Sequence, residues 1–129
     1  MSLTVETVQR LRATQKGGPM MLVSVPMPVP GPTEVCISLK AIGLNPLDCK
    51  QLYSGEMVRA WPATFGIDGA GVVQAVGSEI TKFQVGDKVM SLFGHGDRAA
   101  AFQEIATVPE WHVAKLPEGL TFEQGASLP

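Results

Sequence analysis

The two cysteines, Cys36 and Cys49, are the residues best suited to bind a metal or to react with oxidants. They do not form the Cys-x-x-Cys pattern of zinc ribbons, and two cysteines are too few for a disulfide framework. We therefore expect two free thiols in a reducing compartment. The N-terminus has no apolar signal core, so the expected location is the cytoplasm.

A second candidate for chemistry is the glycine-rich run Gly69-Ala70-Gly71, because such glycines can let a backbone approach a dinucleotide pyrophosphate. The sixth position of this pattern is Gln74, and the residues that follow are typical of a strand and not of a helix. The run therefore fails as a dinucleotide fingerprint. We predict instead that its glycines allow close packing between strands.

The composition excludes several classes of function. Hydrophobic residues make up 45% and charged residues 17% of the 129 residues, as in a single globular domain. A formal net charge of −2 provides no basic surface for nucleic acid or for an anionic membrane. No window approaches the roughly 18 apolar residues of a membrane span. Nucleic acids and membranes are therefore not expected as partners.

The elements that position any site are predicted to be mainly β-strands. An alternation along residues 34–41 indicates a half-buried strand. Its apolar set is Val35, Ile37, Leu39 and Ala41, and the residues between them are Glu34, Cys36, Ser38 and Lys40. Further short apolar runs cover residues 20–25, 70–76, 88–93, 101–108 and 112–116, and turn residues separate them. Many short strands of this kind predict a barrel or a sandwich.

Two stretches are predicted to be short helices. Asn45 can cap a helix that begins at Pro46 and continues to about Leu52. The run Thr121-Phe122-Glu123-Gln124 has the pattern of a capping box. Because the chain ends at Pro129, soon after this helix begins, we expect it to be a truncated protein.

Several stretches together carry a family resemblance. They are Gly31-Pro32 with Glu34-Val35, Ala41 to Asp48, Gly66 to Val73 with Val76-Gly77, Gly86 to Val89, Ala101 to Glu104, and Val113 to Pro117. In this order they resemble the GroES-like catalytic domain of medium-chain dehydrogenase/reductases. The resemblance begins at about Arg10 and implies a mainly β, partly open GroES-like barrel with one or two short helices. Residues 1–129 would form this domain, with residues 1–10 as an N-terminal extension and no nucleotide-binding domain.

The zinc-dependent and zinc-free branches of this superfamily differ at positions present here. Zinc enzymes have a cysteine ligand where this chain has Asn45, and a histidine ligand where it has Ile67, which Asp68 follows in place of a glutamate. Catalytic zinc needs three protein ligands, and the four-cysteine lobe for structural zinc is also missing. The resemblance therefore implies no metal, and a similarity to quinone oxidoreductases and fungal trans-acting enoyl reductases.

In the zinc-free branch, the loop that contains Asn45, Pro46 and Lys50 lies beside the nicotinamide of the cofactor. The resemblance thus implies that Asn45 binds the cofactor or a substrate carbonyl. Lys50 would place a positive charge near a developing enolate oxygen. Many quinone reductases have tyrosine at the Lys50 position, and Tyr53 is a second candidate for the proton donor. The alternative is that Asn45 only caps the helix and that Lys50 is solvated.

Four residues are expected in the substrate pocket, namely Tyr53, Asp68, His95 and Phe102. Asp68 is expected to hydrogen-bond the backbone near Asn45 in preference to a catalytic role. An exposed loop position for His95 and core packing for Phe102 remain open as alternatives. We expect His112 to be structural.

The parent activity implied by the resemblance is NADPH-dependent reduction of a small-molecule substrate. This substrate would be a quinone, or a compound with a carbon–carbon double bond conjugated to a carbonyl. The isolated chain is expected to be inactive, and a homodimer is one possibility for the full-length parent. Two alternatives remain. One is a zinc-type alcohol dehydrogenase that has lost its ligands, and the other is a non-catalytic GroES-like binding or structural module.

Overall fold

The computed structural model describes residues 6–94 and 96–128, which form eight strands, two α-helices and one 3-10 turn. The strands are β1 (Thr7–Ala13), β2 (Met20–Pro26), β3 (Glu34–Gly43), β4 (Ala63–Thr64), β5 (Asp68–Val76), β6 (Lys88–Leu92), β7 (Ile105–Pro109) and β8 (Val113–Lys115). The helices are α1 (Pro46–Ser54) and α2 (Phe122–Ala126), and the 3-10 turn covers Glu110–His112. Neither helix is long and apolar enough, within the described residues, to cross a membrane.

The strands form two antiparallel sheets. The smaller sheet has the order β2-β1-β4, and the larger has the order β7-β3-β5-β6-β8. A bridge between Arg10 and Gln103 connects the smaller sheet to the segment before β7, and the N–H of Leu11 donates to the carbonyl of Phe102 at 2.9 Å. In the described residues the sheets do not close into one barrel. The predicted mainly β, partly open fold with two short helices is confirmed.

The main core lies against β3 and β5. Val35 and Ile37 are fully buried and pack with Val73 of β5. Cys36 is also fully buried, although the alternation places it on the opposite face. It packs in a separate cluster with Val8 of β1. The beginning of β3 is thus buried on both faces, because β1 covers the face that a half-buried strand would leave exposed.

Close packing between β3 and β5 depends on glycine. A Cβ atom at Gly71 would collide with the carbonyl oxygen of Ser38 in the neighbouring strand. Glycine at this position therefore allows the close packing between β3 and β5 that the sequence predicts.

Two segments differ from the sequence prediction. β1 begins at Thr7, inside the residues assigned to an N-terminal extension, and it pairs with β2 along its whole length. Residues 101–104 are not part of a strand, and β7 begins only at Ile105. The reason is Gln103, whose Nε2 donates to the carbonyls of Asp97 and Ala100 at 2.6 and 2.8 Å and so holds this segment as a loop.

Candidate active site

The side chain of Asn45 joins the end of β3 to the beginning of β5. Its Nδ2 donates a hydrogen bond to Oδ2 of Asp68 at 2.7 Å. Gly43 and Asp68 are antiparallel partners, so the register between β3 and β5 brings the following Asn45 close to Asp68. Asp68 is only 9% exposed. The sequence predicts a hydrogen bond from Asp68 to backbone near Asn45, whereas in the structure Asp68 bonds the Asn45 side chain.

The backbone of Asn45 is held by a second carboxylate, that of Asp48. The N–H of Asn45 donates to Oδ2 of Asp48 at 2.8 Å, and the N–H of Asp48 donates to the carbonyl of Asn45 at 3.0 Å. Asp48 lies in the first turn of α1, where the helix dipole favours a negative charge. Asp48 is not among the site residues predicted from the sequence. The signal for it was the spacing of a capping box between Asn45 and Asp48.

The Asn45 loop therefore lies between two buried carboxylates. Burial raises the pKa of Asp48, and the charge of Asp68 raises it further, while the backbone N–H groups of Asn45 and Gly66 oppose these effects. The Oδ1 atoms of Asp48 and Asp68 are both buried without a hydrogen-bond partner among the described residues. An unsatisfied oxygen on a buried carboxylate costs free energy, so both carboxylates are held in this loop against a desolvation penalty.

The other predicted site residues of this segment have exposed side chains. Pro46 and Lys50 are exposed, and Tyr53 is 64% exposed. Within the described part of the chain, no hydrogen bond or ion pair holds the side chain of Lys50 or Tyr53. The structure thus brings Asn45 and Asp68 together and leaves Lys50 and Tyr53 on the surface of α1, available to a ligand.

Phe102 lies mainly in the core. It is 8% exposed and packs with Ala13, Ala63 and Phe65 beneath the smaller sheet. Part of it also lines a shallow groove between Leu11 and the C-terminal half of β3. His95, another predicted pocket residue, lies outside the described residues.

A cavity of about 540 Å³ lies beside α1. Gln51 of α1, residues 57–60 and 62–66, the glycines Gly94 and Gly96, Asp97 and His112 line it. Its volume is within the range of small-molecule sites. Gly66 lines this cavity and also contributes its N–H to the environment of Asp48, so the cavity borders the Asn45 site.

The described residues contain no group of three or more histidine, cysteine, aspartate or glutamate side chains that could hold a metal. Cys36 is buried, with its Sγ 3.3 Å from the hydroxyl of Thr107, and Cys49 is exposed on α1. Both are free thiols, as predicted.

Comparisons with known proteins agree with this architecture. The family description "Alcohol dehydrogenase GroES-like domain" matches residues 31–118. A quinone oxidoreductase from Pseudomonas aeruginosa is 36% identical over 122 residues, which cover 93% of this chain and 37% of that protein. A trans-enoyl reductase from Aspergillus flavipes is 38% identical over 122 residues, which cover 89% of this chain and 35% of that protein.

Among solved structures, the Escherichia coli quinone oxidoreductase complexed with NADPH superimposes with a TM-score of 0.82 at 26% identity. The match covers 93% of this chain and 36% of that one. The chain thus spans little more than a third of the length of these relatives. From its motifs, its fold and these relatives, the chain belongs to the alcohol dehydrogenase GroES-like domain family of the medium-chain dehydrogenase/reductases.

Proposed function

We propose that this chain forms the substrate-facing domain of a zinc-independent, NADPH-dependent oxidoreductase. Its substrate would be a quinone or a carbon–carbon double bond conjugated to a carbonyl. The observation that carries the proposal is the Asn45 loop, which two buried carboxylates hold in place while Lys50 and Tyr53 remain exposed on the same helix. The quinone oxidoreductase and trans-enoyl reductase relatives support it. The proposed location is the cytoplasm.

The residues present fit the nicotinamide end of such a cofactor. Asn45, Pro46 and Lys50 would hold it, because they combine a fixed amide with an exposed cation that has no partner among the described residues. NADPH, when bound, supplies a hydride to the acceptor. The described strands and helices do not include the strand, glycine-rich turn and helix that bind a pyrophosphate. We therefore propose that the isolated chain is inactive.

Each side chain then has a distinct task. Asp68 fixes the orientation of the Asn45 amide, because a carboxylate accepts hydrogen bonds and so requires the NH₂ group on its side. Lys50 places a positive charge where the substrate oxygen becomes negative as its double bond is reduced. Tyr53 is an exposed hydroxyl one helical turn further on, and it can donate the proton that completes the reduction.

The test uses the full-length protein that contains this chain. NADPH oxidation is measured with menadione and with a linear enone as acceptors. We expect Lys50→Met to lower kcat at least tenfold, because loss of an oxyanion-stabilising group commonly costs 10²–10³ in rate. Lys82→Met is the matched control, since Lys82 is an exposed lysine outside the site. Equal kinetics of the two variants, or no reduction of either acceptor, would contradict the proposal.

The isolated chain provides a second arm of the test. Binding at 100 times Kd would add about 2.7 kcal/mol of stability. We expect no rise in the Tm of the isolated chain with millimolar NADPH. A clear rise would show that the described domain binds the cofactor by itself.

A further inference from the structure

Two residues that line the cavity beside α1 have side-chain polar atoms without a hydrogen-bond partner among the described residues. Thr64 is 3% exposed, and its Oγ1 has no hydrogen-bond partner among the described residues. Nδ1 of the half-buried His112 also has no hydrogen-bond partner among the described residues. Both residues line the cavity. Since buried polar atoms are nearly always hydrogen-bonded, a hydroxyl and an imidazole at one cavity indicate a polar group that binds there.

The charges of the wall are also unevenly matched. The carboxylate of Asp97 is fully engaged, because Oδ1 accepts from the N–H of Thr64 at 3.1 Å and Oδ2 faces two guanidinium groups. These belong to Arg10 and Arg12, at 3.7 and 4.0 Å. Two cations thus face one anion. Arg59 is exposed in the same wall and has no hydrogen bond or ion pair within the described part of the chain.

The two carboxylates of the Asn45 site are not among the described residues that line this cavity. Both are already engaged with Asn45, because Oδ2 of Asp48 accepts from its backbone N–H and Oδ2 of Asp68 accepts from its Nδ2. Much of the remaining wall is apolar, with contributions from Met57, Val58, Pro62 and Phe65. Among its described residues, the cavity therefore combines an apolar surface with the unpaired guanidinium of Arg59 and the unused hydroxyl of Thr64.

We propose that this cavity binds a small ligand with an apolar body and one carboxylate, which pairs with Arg59 and accepts a hydrogen bond from the Thr64 hydroxyl. This inference rests on the proposed function, because the cavity borders the Asn45 site through Gly66. It makes conjugated acceptors that bear a carboxylate the preferred substrate class of the proposed reductase. The cavity volume of about 540 Å³ accommodates an aromatic ring with a short unsaturated chain.

The experiment is a binding measurement on the chain itself, without cofactor or turnover. The probes are trans-cinnamate and trans-cinnamamide, which share size and shape and differ in charge. We expect cinnamate to bind at least tenfold more tightly, because a hydrogen-bonded charge pair is stronger than its neutral counterpart. Arg59→Gln should lower the affinity for cinnamate about tenfold and leave that for cinnamamide within about twofold.

Three further variants sharpen the result. Thr64→Val should weaken cinnamate binding several-fold, because it removes the hydroxyl donor and keeps the shape. Arg59→Lys, which keeps the charge, should retain most of the affinity, and Lys82→Gln should change nothing. Circular dichroism confirms that each variant is folded.

The inference is overturned if the folded chain binds neither probe, if it binds both equally, or if Arg59→Gln and Lys82→Gln behave alike. Absence of reductase activity in a full-length protein whose chain still binds cinnamate through Arg59 would instead contradict the proposed function. The two failures are therefore distinguishable.

Discussion

The hydrogen bond from Asn45 to Asp68 should make a large and measurable contribution to stability. It is short, at 2.7 Å, it involves a carboxylate, and that carboxylate is 9% exposed. Hydrogen bonds to charged groups contribute about 1.5–3 kcal/mol, and an unpaired buried partner carries a similar penalty. We expect a coupling free energy of about 2 kcal/mol between the two side chains.

A double-mutant cycle measures this coupling directly. Asn45→Ala alone is expected to lower the free energy of unfolding by about 3 kcal/mol, because it removes the hydrogen bond and leaves Asp68 buried without its donor. Asp68→Ala should cost less, since it also relieves the repulsion with Asp48. The double variant should be about as stable as Asn45→Ala, because the penalty of the unpaired carboxylate offsets most of what Asp68→Ala loses.

The assay is urea-induced unfolding of the chain, followed by circular dichroism and by tryptophan fluorescence. The control cycle pairs Asn45→Ala with Asp87→Ala, because Asp87 accepts a backbone N–H in an exposed turn and makes no contact with Asn45. Distant sites are additive within about 0.3–0.5 kcal/mol. A coupling of that size or smaller between Asn45 and Asp68 would refute the view that Asp68 holds the Asn45 amide.

Three other predictions follow from the same structure. Asp48→Asn should stabilise the chain near pH 7. The reason is that folding raises the pKa of Asp48, so the wild type loses stability as the pH rises from the unfolded-state pKa of about 3.9 towards the folded-state pKa. The difference in the free energy of unfolding between the variant and the wild type should vanish below the unfolded-state pKa. Urea titrations measure it, and a variant less stable than the wild type at pH 7 would contradict the prediction. Gly71→Ala should lower the free energy of unfolding by about 3 kcal/mol or prevent folding, because the added methyl group would overlap the Ser38 carbonyl. Thermal unfolding measures the effect, and Ala114→Ser at an exposed position is the control. Elemental analysis of protein purified without a histidine tag should find far less than one zinc per chain, since Asn45 and Ile67 occupy the ligand positions, and stoichiometric zinc would disprove it.

Local sequence signals were sufficient where neighbouring residues determine the structure. Asn45 and Pro46 located the beginning of α1, and the structure continues that helix to Ser54. The Thr121 capping box located α2, where the Thr121 hydroxyl accepts from the N–H of Gln124 at 3.1 Å. Such signals are readable because caps and turns involve residues three or four positions apart.

Other features depended on contacts between distant parts of the chain. β1 gave no clear strand pattern because Arg10 and Arg12 interrupt its apolar residues, and only the folded chain provides Asp97 as their partner. The bond from Arg10 to Gln103 joins residues 93 positions apart, and that from Asn45 to Asp68 joins residues 23 apart.

The family motif identified Asn45 and Asp68 as candidates from the sequence alone, but not how they meet. Their contact requires the particular register of β3 against β5. Burial of Asp48 in turn requires α1 to pack its inner face against the segment near Gly66. Whether a charged side chain is solvated, paired or desolvated is decided by neighbours from remote segments, because a low-dielectric environment exists only after the chain has folded. Residue type and spacing therefore determined the family and the candidate residues, and the tertiary structure alone decided which charges are buried together and which face the cavity.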